Sequence, residues 1–402
     1  MNHFDQELTE RLNALRTRGL RRELRRVDSP PGTRIQIAGR MLLNFSSNDY
    51  LGLAGDPLLK ETAIRAVEKF GVGSAASRLI CGSLAPHHEL EETLAHFKGA
   101  EAALSFSTGY ATAIGTICAL LGKDDVIVLD KLVHACIVDA ARLSGAKIRV
   151  FAHNDLDNLE KILKWAVAIS CHPSPATHHS LIVVESIYSM DGDAAPLREI
   201  VALKEKYGAW LMVDEAHATG LYGKNRRGLA EESRVNDRIE VQMGTLGKAV
   251  GASGGYICGS RPLIDFLVNR ARSFIFSTAP VPAAAAAATA GIRLIQSREG
   301  ETRRKTLWTR VGKFKSATGN RQPAIPSAII PILIDDETQA VQASAALREQ
   351  GIFVPAIRYP TVARGQARLR VTFTATHTAD DISLLVAGLQ SIRNLPSATP
   401  NE

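Results

Sequence analysis

Cysteine is scarce: Cys81, Cys118, Cys136, Cys171 and Cys258 are an odd number in 402 residues, with no Cys-x-x-Cys pair and no histidine at a metal-ligand interval. A disulfide scaffold and a zinc site are therefore not expected. Long apolar runs are missing too. The longest, Val281 to Ile295, is mostly alanine, holds Pro282 and Arg293, and falls short of the ~20 residues a membrane span requires, so it reads as a buried helix. Asp5, Glu7 and Glu10 interrupt any leader before an apolar core begins, which points to a cytoplasmic protein with no membrane partner. Charge of one sign is in small excess, 48 Lys plus Arg against 41 Asp plus Glu. Seven arginines against four acids in residues 1–26 supply +3 of the net +7, and the rest is dilute. That gives a modest pull on anionic substrates or carriers and no argument for nucleic acid.

What is present is an ordinary globular balance, 45% hydrophobic and 22% charged, long enough for two or three packed units. Leu8, Leu12, Leu15 and Leu20 recur at helical intervals within Gln6 to Arg26, predicting an amphipathic surface helix, followed by a small hairpin from Arg34 to Ile37 and Met41 to Phe45. Apolar runs then alternate with helix-length segments: Val126 to Leu129, Ile148 to Phe151, Leu181 to Val184, Trp210 to Val213, Ile239 to Met243 and Gly255 to Cys258. This rhythm predicts an α/β fold with a mainly parallel sheet covered on both faces, whose ligands gather at the carboxyl ends of the strands. Past the alanine-rich helix, strands at Ala328 to Ile334 and Ala367 to Thr374 and helices at Glu337 to Gln350 and Asp380 to Ile392 predict a second, smaller α/β unit, ending in a patternless tail, Pro396 to Glu402. No internal repeat is visible.

Lys248 follows a strand within Thr245-Leu246-Gly247-Lys248 and is hemmed by Gly244, Gly247 and Gly251, an open and poorly solvated setting in which a lysine can form a Schiff base. Alone, it reads more readily as a surface lysine in a glycine-rich turn. Asp214 ends an apolar strand and His217 follows by three. A buried carboxylate there needs a cationic or hydrogen-bonding partner, which a protonated pyridine nitrogen supplies. Without Lys248, the pair reads as a helix cap and a core histidine. Ser107-Thr108-Gly109-Tyr110 offers hydroxyls and a helix start for a phosphate, or simply a capped turn. His134, just beyond another strand, is placed to stack on a ring or to serve structure. Together these residues point to pyridoxal phosphate.

Read with Asn44-Phe45-Ser46-Ser47-Asn48-Asp49-Tyr50, Gly71-Val72-Gly73-Ser74, Ser189-Met190-Asp191-Gly192-Asp193 and Val354-Pro355-Ala356-Ile357-Arg358, the chain resembles the α-oxoamine synthases from about residue 10 to residue 393. The resemblance implies a pyridoxal-phosphate-dependent transferase of fold type I, with a seven-stranded sheet. It implies an N-terminal helix and hairpin segment over 1–48, a large cofactor domain over 49–281 and a small domain over 282–402. It assigns Lys248 to the Schiff base and to removal of the Cα proton, Asp214 to the pyridine nitrogen, His217 and Ser189 to the phenolic oxygen, and His134 to ring stacking. Thr108, Gly109, Tyr110 and Thr245 fall to the phosphate, with Thr278 contributed across a homodimer interface. Arg370 falls to the amino acid carboxylate, and Arg21, Asn48 and Thr361 to substrate.

Within the family the motifs imply condensation of L-alanine with a pimeloyl thioester, carried on coenzyme A or acyl carrier protein, with loss of carbon dioxide. Glycine with acetyl-CoA is the nearest alternative, an aminotransferase on the same fold is another, and a dead subunit keeping only interface surface is a third. Tyr359 and Ala363-Arg364-Gly365 depart from the pattern near the expected acyl path. Cys81, in place of a small hydroxyl residue, reads as a buried apolar side chain.

Overall fold

Successive side chains of a strand point to opposite faces, and in the central strands of this chain both sets are apolar. Val126 and Val128 enter one hydrophobic cluster, Ile127 and Leu129 the other, all nearly inaccessible to solvent. Each such side chain contributes roughly 1.5–3 kcal/mol when buried, which is what draws helices onto both faces.

A computed structural model describes residues 2–170, 179–319 and 325–393. Cys171 and the tail from Pro396 lie outside the described residues. Strands β1 (Arg34–Ile37) and β2 (Arg40–Asn44) form the expected hairpin. The large sheet holds β3 (Ala102–Phe106), β4 (Val126–Asp130), β5 (Lys147–Phe151), β6 (Ser180–Glu185), β7 (Trp210–Asp214), β8 (Val241–Thr245) and β9 (Gly255–Gly259). Its order is β3-β9-β8-β7-β6-β4-β5, with β9 antiparallel to both neighbours and every other pairing parallel. The seven-stranded, mainly parallel sheet is therefore as expected. Strand β8 starts two residues later than its apolar run, because Asn236–Arg238 takes a 3-10 turn that carries Ile239 and Glu240 into the sheet's approach. Thr245 thereby becomes the last strand residue, and Lys248 follows in the turn.

The smaller unit pairs β10 (Ile329–Asp335), β12 (Ala356–Ile357) and β13 (Ala367–Thr372) antiparallel, while β11 (Ile352–Phe353) runs parallel to β2 and ties the hairpin to it. The alanine-rich helix Pro282–Gln296 is buried as predicted, packed on helices Pro57–Phe70 and Ala85–Lys98. Two expectations need correction. The first helix runs only from His3 to Thr17: Gly19, at a φ of 64°, turns the chain so that its own amide and that of Leu20 fold back on the carbonyls of Arg16 and Leu15. Cys81 is exposed rather than buried, on the segment after Leu79 and Ile80, which are exposed as well.

Candidate active site

Parallel strands bring their carboxyl ends to one edge, and the last residues of β6 and β7, Glu185 and Asp214, lie opposite each other in register. Both carboxylates are buried. Burial raises the Asp214 carboxyl above its ordinary range, with Lys248 pulling it back. Burial, then the neighbouring Asp214, pushes Glu185 up to about 8, although it accepts the Ser189 amide at 3.1 Å. Its Oε1 has no partner among the described residues. Two adjacent carboxyls in a dry site cannot both stay charged, so one proton resides there at neutral pH.

The Lys248 amine is buried beside them, and that burial lowers its pKa against the pull of Asp214 and Glu185. Its Nζ lies 2.7 Å from His217 Nε2, and His217 Nδ1 lies 2.5 Å from the Tyr50 hydroxyl. Tyr50 in turn donates to Asn48 Oδ1 at 3.3 Å, an oxygen that also accepts from Arg370 Nη1 at 3.2 Å. His217 thus links Lys248 to the Tyr50 hydroxyl through its two ring nitrogens. The histidine is neutral, its pKa driven well down by burial and by Lys248, while burial keeps the Tyr50 proton on, with a pKa of about 12. Arg370 is fixed from behind, Nε donating to the Ser189 carbonyl at 2.6 Å and Nη1 to Thr372 at 3.0 Å. It forms no ion pair among the described residues, so a buried cation is left for an incoming anion.

His134 caps the helix Ala135–Ser144, its Nδ1 accepting the Cys136 amide at 3.2 Å, and Asp214 and Lys248 act on it electrostatically. Thr108 caps the helix Gly109–Leu120 through the Ala111 amide, so Gly109 and Tyr110 keep their amides as donors at that N-terminus. The Tyr110 hydroxyl is taken by Asp139 at 2.7 Å. A Cβ added to Gly109 would point into the gap before Thr245, 3.9 Å from its Cβ, which marks a cradle between loop and strand.

Lys248, Asp214, His217, Ser189, Asn48, Arg370 and His134 thus converge, and the 108–110 loop adjoins Thr245. Thr278 is not part of this cluster: it is exposed and bridges to Ser77. Arg21 and Thr361 line a separate cavity of about 490 Å³ with Arg22, Arg348 and Arg358, where Arg22 donates to the Thr361 hydroxyl at 3.2 Å. Glu185 and Tyr50 were not singled out in the sequence as site residues. The donor set fits pyridoxal phosphate: a buried amine of lowered pKa, a buried carboxylate beside an unpartnered carboxyl oxygen, and free amides at a helix start.

The family of class I and II aminotransferases matches residues 40–389. An 8-amino-7-oxononanoate synthase of Geotalea daltonii is 45% identical over 390 residues, covering 96% of this chain and 98% of that protein. One of Geobacter sulfurreducens is 45% identical over 388 residues, covering 95% and 96%. Among solved structures, a serine palmitoyltransferase from S. paucimobilis with a bound pyridoxal phosphate–myriocin aldimine superposes with a TM-score of 0.88 at 30% identity, covering 98% of each chain. The 8-amino-7-oxononanoate synthase of Francisella tularensis superposes with a TM-score of 0.73 at 26% identity, covering 88% of this chain and 98% of that one.

Proposed function

The chain belongs to the class I and II aminotransferase family, and within it we propose that it condenses L-alanine with a pimeloyl thioester, giving 8-amino-7-oxononanoate, carbon dioxide and the free thiol carrier, a step of biotin synthesis. The observation that carries the chemistry is the juxtaposition of a buried Lys248 amine, hydrogen-bonded to neutral His217, with the unpaired Arg370 guanidinium at the far end of the same network. Pyridoxal phosphate, when bound, supplies an electron sink for the carbanion that forms at the amino acid Cα.

Lys248 would hold the cofactor's carbonyl carbon and, once displaced by alanine, accept the Cα proton at Nζ; burial keeps that nitrogen able to do so near neutral pH. Asp214 would keep the ring nitrogen protonated, with His134 over the ring and His217 and Ser189 at the phenolic oxygen. Thr108, Gly109, Tyr110 and Thr245 would hold the phosphate. Arg370 would hold the alanine carboxylate through Nη2, whose N–H groups are not committed to Ser189, Asn48 or Thr372, and those three partners orient the guanidinium. Fixing the carboxylate selects which Cα bond stands over the ring, a positional gain.

Thr278 completes the phosphate site from a second copy in a homodimer. The segments joined by the Ser77 to Thr278 bridge carry Val72, Leu79, Ile80 and Phe276 exposed, an apolar surface suited to such an interface. Arg21 and Thr361 belong to the acyl-donor channel, whose arginines suit the phosphates of coenzyme A or of acyl carrier protein. The chain divides into an N-terminal helix and hairpin segment over 1–48, a large cofactor domain over 49–281 and a small domain over 282–402. No helix among the described residues is long and apolar enough to cross a membrane, and the reaction is assigned to the cytoplasm.

The test is steady-state thioester consumption with alanine and with glycine across acyl chain lengths. Alanine with pimeloyl thioester should give the largest kcat/KM; glycine with acetyl-CoA giving the larger value would contradict the assignment.

A further inference from the structure

Residues two apart on a strand project to the same face, and on β13 two of these are Arg368 and Arg370, both buried. They meet one turn. Arg370 Nε donates to the Ser189 carbonyl at 2.6 Å, and Arg368 Nη1 donates to Asp191 Oδ1 at 2.5 Å. The proposed reaction gives Arg370 the amino acid carboxylate and Ser189 the phenolic oxygen, and it leaves Arg368 without a task.

Arg368 is committed to that turn. Its side chain is 3% exposed, and Asp191, 31% exposed, is its ion-pair partner among the described residues. Its Nε is taken by the Gln366 carbonyl at 3.1 Å. A guanidinium removed from water needs its carboxylate, so the two are costly to part.

The turn is gripped from both units. Gly192, at a φ of 72°, lies so close to β10 that an added Cβ would sit 2.3 Å from the Ile329 carbonyl oxygen. On the large sheet's side, Asp193 Oδ2 is held by His153 Nε2 at 2.7 Å and by Asn154 Nδ2 at 3.1 Å. A single bond at the Ser189 carbonyl would leave β13 free to pivot there. A second, at Asp191, fixes its rotation and with it the direction of Arg370 Nη2.

We propose that Arg368, through its ion pair with Asp191, is a positioning residue for amino acid recognition, setting the Arg370 guanidinium against the turn that carries Ser189. The proposal rests on the reading of Arg370 as the partner of the substrate carboxylate.

Ethylamine is L-alanine without its carboxylate, so the two amines separate this role from general support of the fold. Each is titrated into the holoenzyme and followed by cofactor absorbance. Arg368→Met and Asp191→Ala should each raise the Kd for L-alanine by about tenfold, because a small misplacement of a clamping arginine suffices for that. The Kd for ethylamine should stay at its wild-type value. Asp191→Ala, at a half-buried position, carries the test if Arg368→Met fails to fold. An unchanged Kd for L-alanine, or equal weakening of both amines, overturns the proposal. A wild type that discriminates L-alanine from ethylamine no better than Arg370→Met overturns the reading of Arg370 itself, and the proposal with it.

Discussion

Glu185 shows how much of the site rests on single side chains whose protonation is set by their neighbours. With a pKa pushed up to about 8 by burial and by Asp214, it carries a proton at pH 7 and loses it above. Glu185→Gln keeps a neutral side chain of the same shape, so kcat at pH 7 should fall by less than about tenfold, and the alkaline change in kcat near pH 8 should disappear. Paired pH profiles of kcat check this; a variant that keeps the limb places the titration elsewhere. The sequence signal for Glu185 was the one that revealed Asp214, a carboxylate ending an apolar strand. The apolar run Leu181 to Val184 stops one residue short of the strand end, which leaves Glu185 outside it. Tyr50 gave less signal. It meets His217 across 167 residues of chain, a pairing that only the folded sheet brings about. Cys81 is a like case: its residue type favours burial, but tertiary context decides exposure and leaves it exposed.

Elements hold these residues through a few close approaches. A Cβ at Gly255, the first residue of β9, would lie 2.8 Å from the backbone nitrogen of Gly109 and also strike Thr112. Gly255→Ala should therefore push the 108–110 loop outward, at about 1–3 kcal/mol of overpacking. A lower Tm and weaker pyridoxal phosphate binding in a titration of apoprotein are the expected outcomes; unchanged values of both would show the loop to be indifferent. A second device ties the end of β4 to the residues after β5. Burial opposes a charge on His153, but hydrogen bonds to Asp130 at 2.9 Å and Asp193 at 2.7 Å outweigh it and hold its pKa at about 10. A pKa raised on folding stabilises fully below the unfolded value of about 6.5 and ceases to do so as pH rises through about 10. The Tm advantage of wild type over His153→Gln should shrink across that interval; a pH-independent gap would contradict the ion pairs. Strand and helix existence was legible from period and from β-branched runs, whereas ends were not, because caps and turns such as Gly19 and Asn236–Arg238 decide them.

At the scale of the whole molecule, the fold class was legible because strands buried on both faces read as continuous apolar runs, and that pattern admits few architectures. The assembly was not legible in the same way, since Thr278 is remote in sequence from the residues it is proposed to complete. A mixed dimer tests it. Lys248→Ala and Thr278→Arg chains, differently tagged, should each be impaired alone, and their purified heterodimer should recover about half of wild-type activity, because one of its two sites is then whole. No recovery would place Thr278 in its own chain's site.

Everything proposed about the reaction depends on Lys248 carrying the cofactor. Borohydride reduction of the holoenzyme followed by peptide mass mapping reads that bond directly. A stable pyridoxyl adduct is expected on the peptide holding Lys248 and on no other; an adduct on a different lysine, or none at all, would contradict it.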